Sequence, residues 1–537
     1  MGVLDYIFAG IMEALVGNPA LTLGPLVLSW PVLMVAAGFF TGVLIGATPG
    51  LSGPFVMALS LPILISSFGY TPEALLPVLG FLVGVMKGAT LGGAVPAILF
   101  NTPGTPDAVM TALDGYPMAQ KGEGGKALRV AQFASVTGDT FSDIVLFVCA
   151  PFLALSIEAF LGQPEKAALM ILSLSFVASV VGGDPFKGLL AACLGLFIAS
   201  IATGTDTYPR LSLGSDVLAA GLPTIAVVIG LLVVGEIFAA LEDIWYATRR
   251  NLERIEITDP GDATLSMAER RRLMPFICTS MAIGTVVGAL PGIGTTLAAA
   301  LGYTAGRKMH RGDTPFGKGA PEGIAATEAA NSAVSGANLI PALSLGIPGN
   351  VAAVFIILAA DTIGGFNPGP SVFHFTPDEV NPELVVAFGL FTLMVVGNLL
   401  NWFFGASFMR LLGGLIRMPK SVILPVVLLL TIISTYVQGG AMTDVYILLA
   451  FGVLGYLLRK GGIPVLPLVI AYILAEPLET TIRTAFESSG ADPWFLFRGV
   501  VSPLFMTLAA LIVLSSGWLR RDARAGTKLK TSKGDAP

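Results

Sequence analysis

Apolar stretches about as long as a bilayer is thick recur along almost the whole sequence, and this narrows the fold more than any single motif. A membrane-crossing helix needs about 20 mainly apolar residues. Runs at 27–45, 146–161, 218–241, 385–408, 422–437, 445–458 and 500–514 approach or reach that length. Charge is scarce: 12% of the 537 residues are Asp, Glu, Lys or Arg, against about 25% in a soluble chain. So little charge argues against a large soluble core and for an all-α polytopic membrane protein. Several runs are shorter than a full span, so about 12 embedded segments are expected, some of them re-entrant.

The sequence also repeats itself. Gly42, Gly46, Ala47, Pro49, Gly50 and Leu51 correspond to Gly284, Gly288, Ala289, Pro291, Gly292 and Ile293, each displaced by 242 positions. Pro96, Ala97, Pro103, Gly104 and Ala108 correspond to Pro341, Ala342, Pro348, Gly349 and Ala353, displaced by 245. Two motifs in the same order at nearly the same displacement mark an internal duplication. The halves are read as 21–241 and 273–518, divided by an Arg-rich linker at 242–272 that the positive-inside rule puts in the cytoplasm, with a basic tail at 519–537. Residues 1–20 read as an interfacial N-terminal helix.

Loop charges suggest that the halves are inverted. Lys121, Lys126 and Arg129 follow the second motif of the first half, whereas the equivalent loop at 364–383 has no Lys or Arg. Arg307, Lys308, Arg311 and Lys318 follow the first motif of the second half, whereas its equivalent at 65–73 has none. Equivalent loops facing opposite sides are the pattern of inverted-repeat transporters.

Glycine and proline cluster inside apolar sequence at 46–54, 92–106, 288–294 and 341–349. Such residues break helices, and a break at membrane depth persists only inside protein or beside a water-filled cavity. The helix N-termini it exposes suit carboxylates. The substrate-binding candidates are therefore Gly50, Ser52, Asn101, Thr102, Gly104, Thr105, Gly292, Gly294, Thr295, Asn331, Gly349 and Asn350, with Thr48, Thr296 and Ser344 beside them. Structural kinks with close helix packing are the plainer alternative. Lys87 in an apolar run either pairs with substrate or snorkels from a helix end. Glu328 either meets a proton or cation or makes a helix-surface contact. Asp139, Asp361, Asp444, Glu236, Glu476 and Glu479 are expected mostly near helix ends.

No catalytic or metal-binding constellation stands out. Gly312-Asp-Thr-Pro-Phe-Gly317-Lys318-Gly319 is like a phosphate-binding loop but lacks the final Ser or Thr and a preceding strand. Ser52 in Gly50-Leu-Ser-Gly53 resembles an intramembrane protease nucleophile, but both histidines, His310 and His374, fall in polar loops. Cys149, Cys193 and Cys278 have no metal spacing and are expected to pack as small apolar residues. The basic loops fit membrane topology rather than nucleic acid.

These motifs together resemble the large permease subunit of the tripartite tricarboxylate transporters. The resemblance rests on the Gly42 to Gly50 motif, Ala97-Ile-Leu-Phe-Asn-Thr-Pro-Gly-Thr105 continuing to Thr111-Ala-Leu-Asp-Gly-Tyr-Pro-Met118, the Gly284 to Gly294 motif, and Pro321-Glu-Gly-Ile-Ala-Ala-Thr-Glu-Ala-Ala-Asn331 continuing to Leu345-Gly-Ile-Pro-Gly349. Leu91-Gly-Gly-Ala94 and Asn331-Ser332 depart from the family's usual Tyr-Gly-Gly-Ser and paired asparagines. The resemblance implies a bacterial inner-membrane system with a small subunit of about four spans and an extracytoplasmic solute-binding protein. It further implies uptake of di- or tricarboxylates driven by Na+ or H+, no cofactor, and, by analogy, an elevator-like mechanism. A stand-alone carboxylate transporter, an intramembrane hydrolase and a membrane scaffold are the rival readings.

Overall fold

The computed structural model describes residues 3–23, 26–48, 51–102, 105–181, 184–202, 210–211, 215, 218, 221–247, 264–292, 294–375, 380–415 and 420–514. The linker arginines Arg249, Arg250 and Arg254, the basic tail, and the site candidates Gly50 and Gly104 lie outside the described residues.

Among the described residues, six helices are long and apolar enough to cross a membrane: Pro72–Phe100, Gly124–Ser156, Thr224–Glu242, Pro382–Leu412, Met442–Lys460 and Val465–Ser488. Six shorter apolar helices of 10–17 residues accompany them. This is an all-α multi-pass membrane fold with one exception, a two-stranded antiparallel hairpin of β1 (Pro19–Leu23) and β2 (Leu26–Ser29). Alternating Leu-Thr-Leu behind Pro19, which has no N–H to give a helix, favours the extended form there.

The described chain folds as two compact units, the first drawn from 1–157 and 240–442, the second from 158–239 and 443–537. Each unit therefore takes sequence from both halves. The first unit opens with α1 (Val3–Leu15), which buries Tyr6, Gly10 and Ala14 and leaves Leu4 and Phe8 exposed. It continues with α2 (Trp30–Gly46), α3 (Gly53–Phe68), α4 (Leu75–Phe100), α5 (Val109–Gln120) and α6 (Gly124–Phe160). The second unit holds α7 (Gln163–Val180), α8 (Pro185–Ala202) and α9 (Thr224–Ile229), and α10 (Gly235–Ala247) starts in it and runs on into residues assigned to the first. The chain returns to the first unit with α11 (Met267–Gly288), α12 (Gly294–Met309), α13 (Pro321–Ala337), α14 (Leu339–Leu345), α15 (Val351–Ile363), α16 (Pro382–Leu400), α17 (Ala406–Leu415) and α18 (Lys420–Gly439). α19 (Met442–Lys460) and α20 (Val465–Ser488) belong to the second unit.

Close helix packing explains the glycine spacing. Small residues four apart let two helix backbones approach in lipid, where apolar burial gives no net drive. A Cβ on Gly42 of α2 would lie 2.6 Å from the Val85 carbonyl oxygen on α4, and one on Gly46 would lie 2.4 Å from that of Ala89. The second half repeats the pair: Gly284 of α11 meets the Ala330 oxygen at 2.2 Å, and Gly288 meets Val334 at 2.9 Å. The residues of both pairs stand at the displacements of 242 and 245 found in the sequence, so the two helix pairs pack through glycines at matching positions.

Helix α13 is the centre of the first unit. Every residue from Glu322 to Ala337 is buried, including Glu322, Thr327, Glu328, Asn331, Ser332 and Ser335. Small side chains let neighbours close on all sides, as where a Cβ on Gly138 of α6 would touch the Ala329 oxygen at 2.4 Å.

Basic loops gather at one end of this unit. Lys121 Nζ donates to the Lys318 carbonyl at 2.8 Å. Lys126 pairs with Glu269, and Arg272 pairs with Glu322 at 2.6 Å. The Lys- and Arg-free loops also meet, with Gly365 packed against Pro72.

In the second unit a π-helical turn, Gly230–Val234, interrupts the helix ladder between α9 and α10. Arg459 donates to the Leu231 and Leu232 carbonyls at 2.7 and 2.8 Å, replacing helix bonds that the turn gives up. Glu479 is paired with Arg210 and Arg483. Cys149, Cys193 and Cys278 are exposed rather than packed inside, at positions on apolar outer helix faces.

Candidate functional site

The two described helix breaks have the same backbone. α4 ends at Asn101 in the left-handed region (φ 53°), and the Thr102 N–H bonds the Pro96 carbonyl at 3.1 Å. α14 ends at Gly346 (φ 70°), and the Ile347 N–H bonds the Pro341 carbonyl at 3.2 Å. All three positions correspond at a displacement of 245, and at both ends a left-handed residue turns the following N–H back six positions onto a proline carbonyl. A cap then restarts the chain. Thr105 precedes a short 3-10 turn leading into α5, and Asn350 Oδ1 accepts from the Ala353 N–H at 2.9 Å to open α15. The two Pro-Gly turns of the second half touch directly, the Gly292 N–H donating to the Gly349 carbonyl at 2.9 Å.

Beside these breaks lies a polar cluster. Thr105, Asn331 and Thr295 turn their side chains to the half-buried Asp107 carboxylate. Thr111 Oγ1 donates to Glu328 Oε1. Glu328 and Asn331 are each 1% exposed. Glu328 Oε2, Asn331 Oδ1 and both polar side-chain atoms of Asn338 are buried with no partner among the described residues. Asn338 lies against Gly349, whose Cβ would fall 3.1 Å from the Asn338 carbonyl oxygen. The helix thus offers Glu328, Asn331 and Asn338 over three turns, about 15 Å at 1.5 Å per residue. Buried polar atoms are normally paired, and unpaired ones are places where something else binds.

The sequence candidates divide accordingly. Thr105, Thr295 and Asn331 come together around Asp107; Gly292, Gly349 and Asn350 form the adjoining turns. Asn101 and Thr102 form the left-handed end of α4, and Gly294 opens α12. Ser52 occupies the cap position of α3 without a side-chain cap bond. Thr48 bonds its own helix at Leu44, and Ser344 likewise at Ile340. Glu328 sits on a wholly buried helix, so the surface-contact alternative falls away. Asp107, Thr111 and Asn338 were missed because each reads as an ordinary turn or cap residue next to proline or at a helix end.

Lys87 is placed elsewhere, neither snorkelling nor at the polar cluster. It is 2% exposed and donates to Asp139 Oδ2 at 2.9 Å, Asp143 Oδ2 at 2.7 Å and Asn398 Oδ1 at 3.1 Å. Asp139 is in the middle of α6 rather than near a helix end, because Lys87 supplies the countercharge it needs there.

The loop like a phosphate site is also occupied from within. The N–H groups of Gly317, Gly319 and Ala320 donate to Asp114 Oδ1 at 2.8, 2.9 and 2.9 Å, and Tyr303 donates to Oδ2 at 3.0 Å. The loop has the amide nest of an anion site, and its anion is the chain's own carboxylate.

Comparison with known proteins gives a consistent picture. The model described as "Tripartite tricarboxylate transporter TctA family" matches residues 32–470. The chain is 30% identical over 482 residues to a protein of Agrobacterium vitis described as "Uncharacterized 52.8 kDa protein in TAR-I ttuC' 3'region", covering 89% of this chain and 91% of that protein. It is 29% identical over 231 residues to another from the same organism, "Uncharacterized protein in TAR-II ttuC' 3'region", covering 43% of this chain and 92% of that one. No solved structure matches the chain.

Proposed function

Because this chain belongs to the tripartite tricarboxylate transporter TctA family, and so is a transporter's large subunit and not an enzyme, we propose that it carries small di- or tricarboxylates into a bacterial cell through the site between its broken helices. The family implies a system with further subunits. In our reading these are a small membrane subunit of about four spans and an extracytoplasmic solute-binding protein, assembled at the inner membrane.

The observation that carries this reading is the pair of matched breaks beside the Asp107, Glu328 and Asn331 cluster. The restarted helices α5, α12 and α15 direct free N–H groups and the positive ends of their dipoles toward the breaks, which favours carboxylates by about 0.3–1 kcal/mol per helix end. Asn331 and Asn338 add polar side chains with unused hydrogen-bonding atoms. Gly50, Ser52, Asn101, Thr102, Gly104, Thr105, Gly292, Gly294, Thr295, Gly349 and Asn350 remain the proposed surroundings of the substrate. Lys87 is better explained by its aspartates.

The same cluster supports ion coupling. A substrate carboxylate about 4 Å from an ionised Asp107 or Glu328 is opposed by about 4 kcal/mol at an effective dielectric of 20. That exceeds what the helix ends return, so the anion enters with a cation, Na+ or H+, on the acidic side. Inversion of the halves is supported by the loop contacts: equivalent loops lie at different meetings, Lys121 with Lys318 and Pro72 with Gly365. An elevator-like movement follows by analogy with inverted-repeat carriers.

The test is uptake of a labelled carboxylate panel into proteoliposomes, with and without the two partner subunits, under imposed sodium and proton gradients. Partner-dependent, gradient-driven uptake is expected. Uptake by this subunit alone would replace the tripartite reading with a stand-alone carrier, and no uptake with all partners present would remove the substrate class.

A further inference from the structure

The Lys87 network has an unbalanced charge that packing alone does not explain. Lys87 on α4 faces Asp139 and Asp143, one turn apart on α6, and Asn398 on α16 donates to Asp143 Oδ2 at 2.7 Å. Exposure is 2% for Lys87, 3% for Asp139 and 7% for Asp143. One ammonium and two carboxylates sum to −1. The outer oxygens, Asp139 Oδ1 and Asp143 Oδ1, are both buried without a partner among the described residues. Helix α13 brings no donor side chain to them: Gly336 presents bare backbone, and a Cβ there would stand 2.4 Å from Asp143 Oδ1. Ser142 gives its hydroxyl back to the Asp139 carbonyl. No charge other than these three acts within the network among the described residues.

We propose that Lys87, Asp139, Asp143 and Asn398 form a proton-binding site, in which the two aspartates together hold one proton against the lysine. An isolated net charge is strongly disfavoured in a low-dielectric interior, and one proton cancels it while serving an orphaned oxygen. A metal ion fits less well. Hard cations take about six oxygen ligands, the site offers two free carboxylate oxygens, and the Lys87 ammonium already occupies the space between the carboxylates. The site also has an opening. Asp143 and Asn398 line a cavity of about 350 Å³ whose other walls include Ile7, Phe147, Phe391 and Trp402. The lysine fixes the stoichiometry: it balances one carboxylate and leaves the other to the proton. The proposal stands apart from the substrate reading, since the residues differ and the test needs no transport.

The experiment is infrared spectroscopy of the full chain in lipid nanodiscs, following the protonated-carboxyl C=O stretch as pH is raised. The expected result is a titrating band, distinct from any removed by Glu328→Gln, that disappears in Asp139→Asn and also in Asp143→Asn, because either change lets Lys87 balance the remaining carboxylate. Lys87→Gln is the second variant, and there that band should grow about twofold, since both carboxyls then require protons. The absence of any band lost in both Asn variants, or an unchanged band in Lys87→Gln, would overturn the assignment.

Discussion

Two pairs of acids lie beside helix α13, all buried except the half-buried Asp107, and they are satisfied in different ways. Asp139 and Asp143 share a lysine, and all three side chains meet at 2.7 to 2.9 Å. Asp107 and Glu328 have hydroxyls and an asparagine around them, but no basic partner among the described residues. A buried charge persists where something compensates it. In the first pair most of the compensation is built into the chain. In the second the described residues supply no countercharge, which fits the transport site proposed above.

The largest expected effect breaks the internally compensated pair. Lys87→Met leaves two uncompensated aspartates and is expected to cost about 3–5 kcal/mol, as removal of one partner does in buried pairs. Thermal unfolding in detergent measures it, and adding Asp143→Asn to the same chain should restore part of the loss. Full stability in the single variant would mean that the network is not held as described.

The second variant probes the open pair. Glu328→Gln keeps the volume and the Thr111 contact while removing a charge. Folding stability should change by less than about 1 kcal/mol, while gradient-driven uptake falls at least about tenfold, a change of about 1.4 kcal/mol. Equal losses in both measurements would make Glu328 structural. Gly349→Val asks the same question of the neighbouring turn, where a side chain would press on Asn338. Insertion is expected to persist with uptake abolished, and normal uptake by an inserted variant would remove that turn from the site.

The smallest effect comes from an acid at the edge of the bundle. Hydrogen bonds from Lys126 and then Ser266 hold the Glu269 carboxyl down at about 2. A depressed carboxyl contributes its stability above its ordinary range and loses it as pH falls towards 2. Because its side chain is 36% exposed, Glu269→Gln should shift unfolding only slightly at neutral pH and flatten the acid limb of a stability titration. A large shift at pH 7 would show that depth is not what separates the three cases.

Sequence reading reached the backbone of the site better than its side chains. A left-handed helix end at Asn101 and at Gly346 needs residue types that tolerate positive φ, and a helix pair such as α2 with α4 needs glycine at fixed intervals, so both leave marks in the sequence. The ionic network leaves none. The partners of Lys87 lie 52, 56 and 311 positions away, and no local pattern relates them. Lys87 therefore reads equally as a substrate ligand or as a lysine snorkelling from a helix end. Asp107 follows Thr-Pro without any mark that singles it out, and Thr295 and Asn331 reach it from the other half of the sequence. The π-helical turns at Gly230–Val234 and Asn401–Gly405 were equally silent, since their lost helix bonds are made good by distant side chains, Arg459 for the first and Gln132 for the second.

The complete burial of α13 has a consequence for biogenesis. A carboxylate at the centre of a membrane segment opposes insertion by about 2.5–3.5 kcal/mol, and this helix, which is not among those apolar enough to cross a membrane, carries Glu322 and Glu328 together with Asn331 among small residues of weak apolarity. It is not expected to leave the translocon for lipid on its own. α4, α5, α11 and α12 surround it in place of the bilayer, so it is expected to enter the membrane together with them rather than alone.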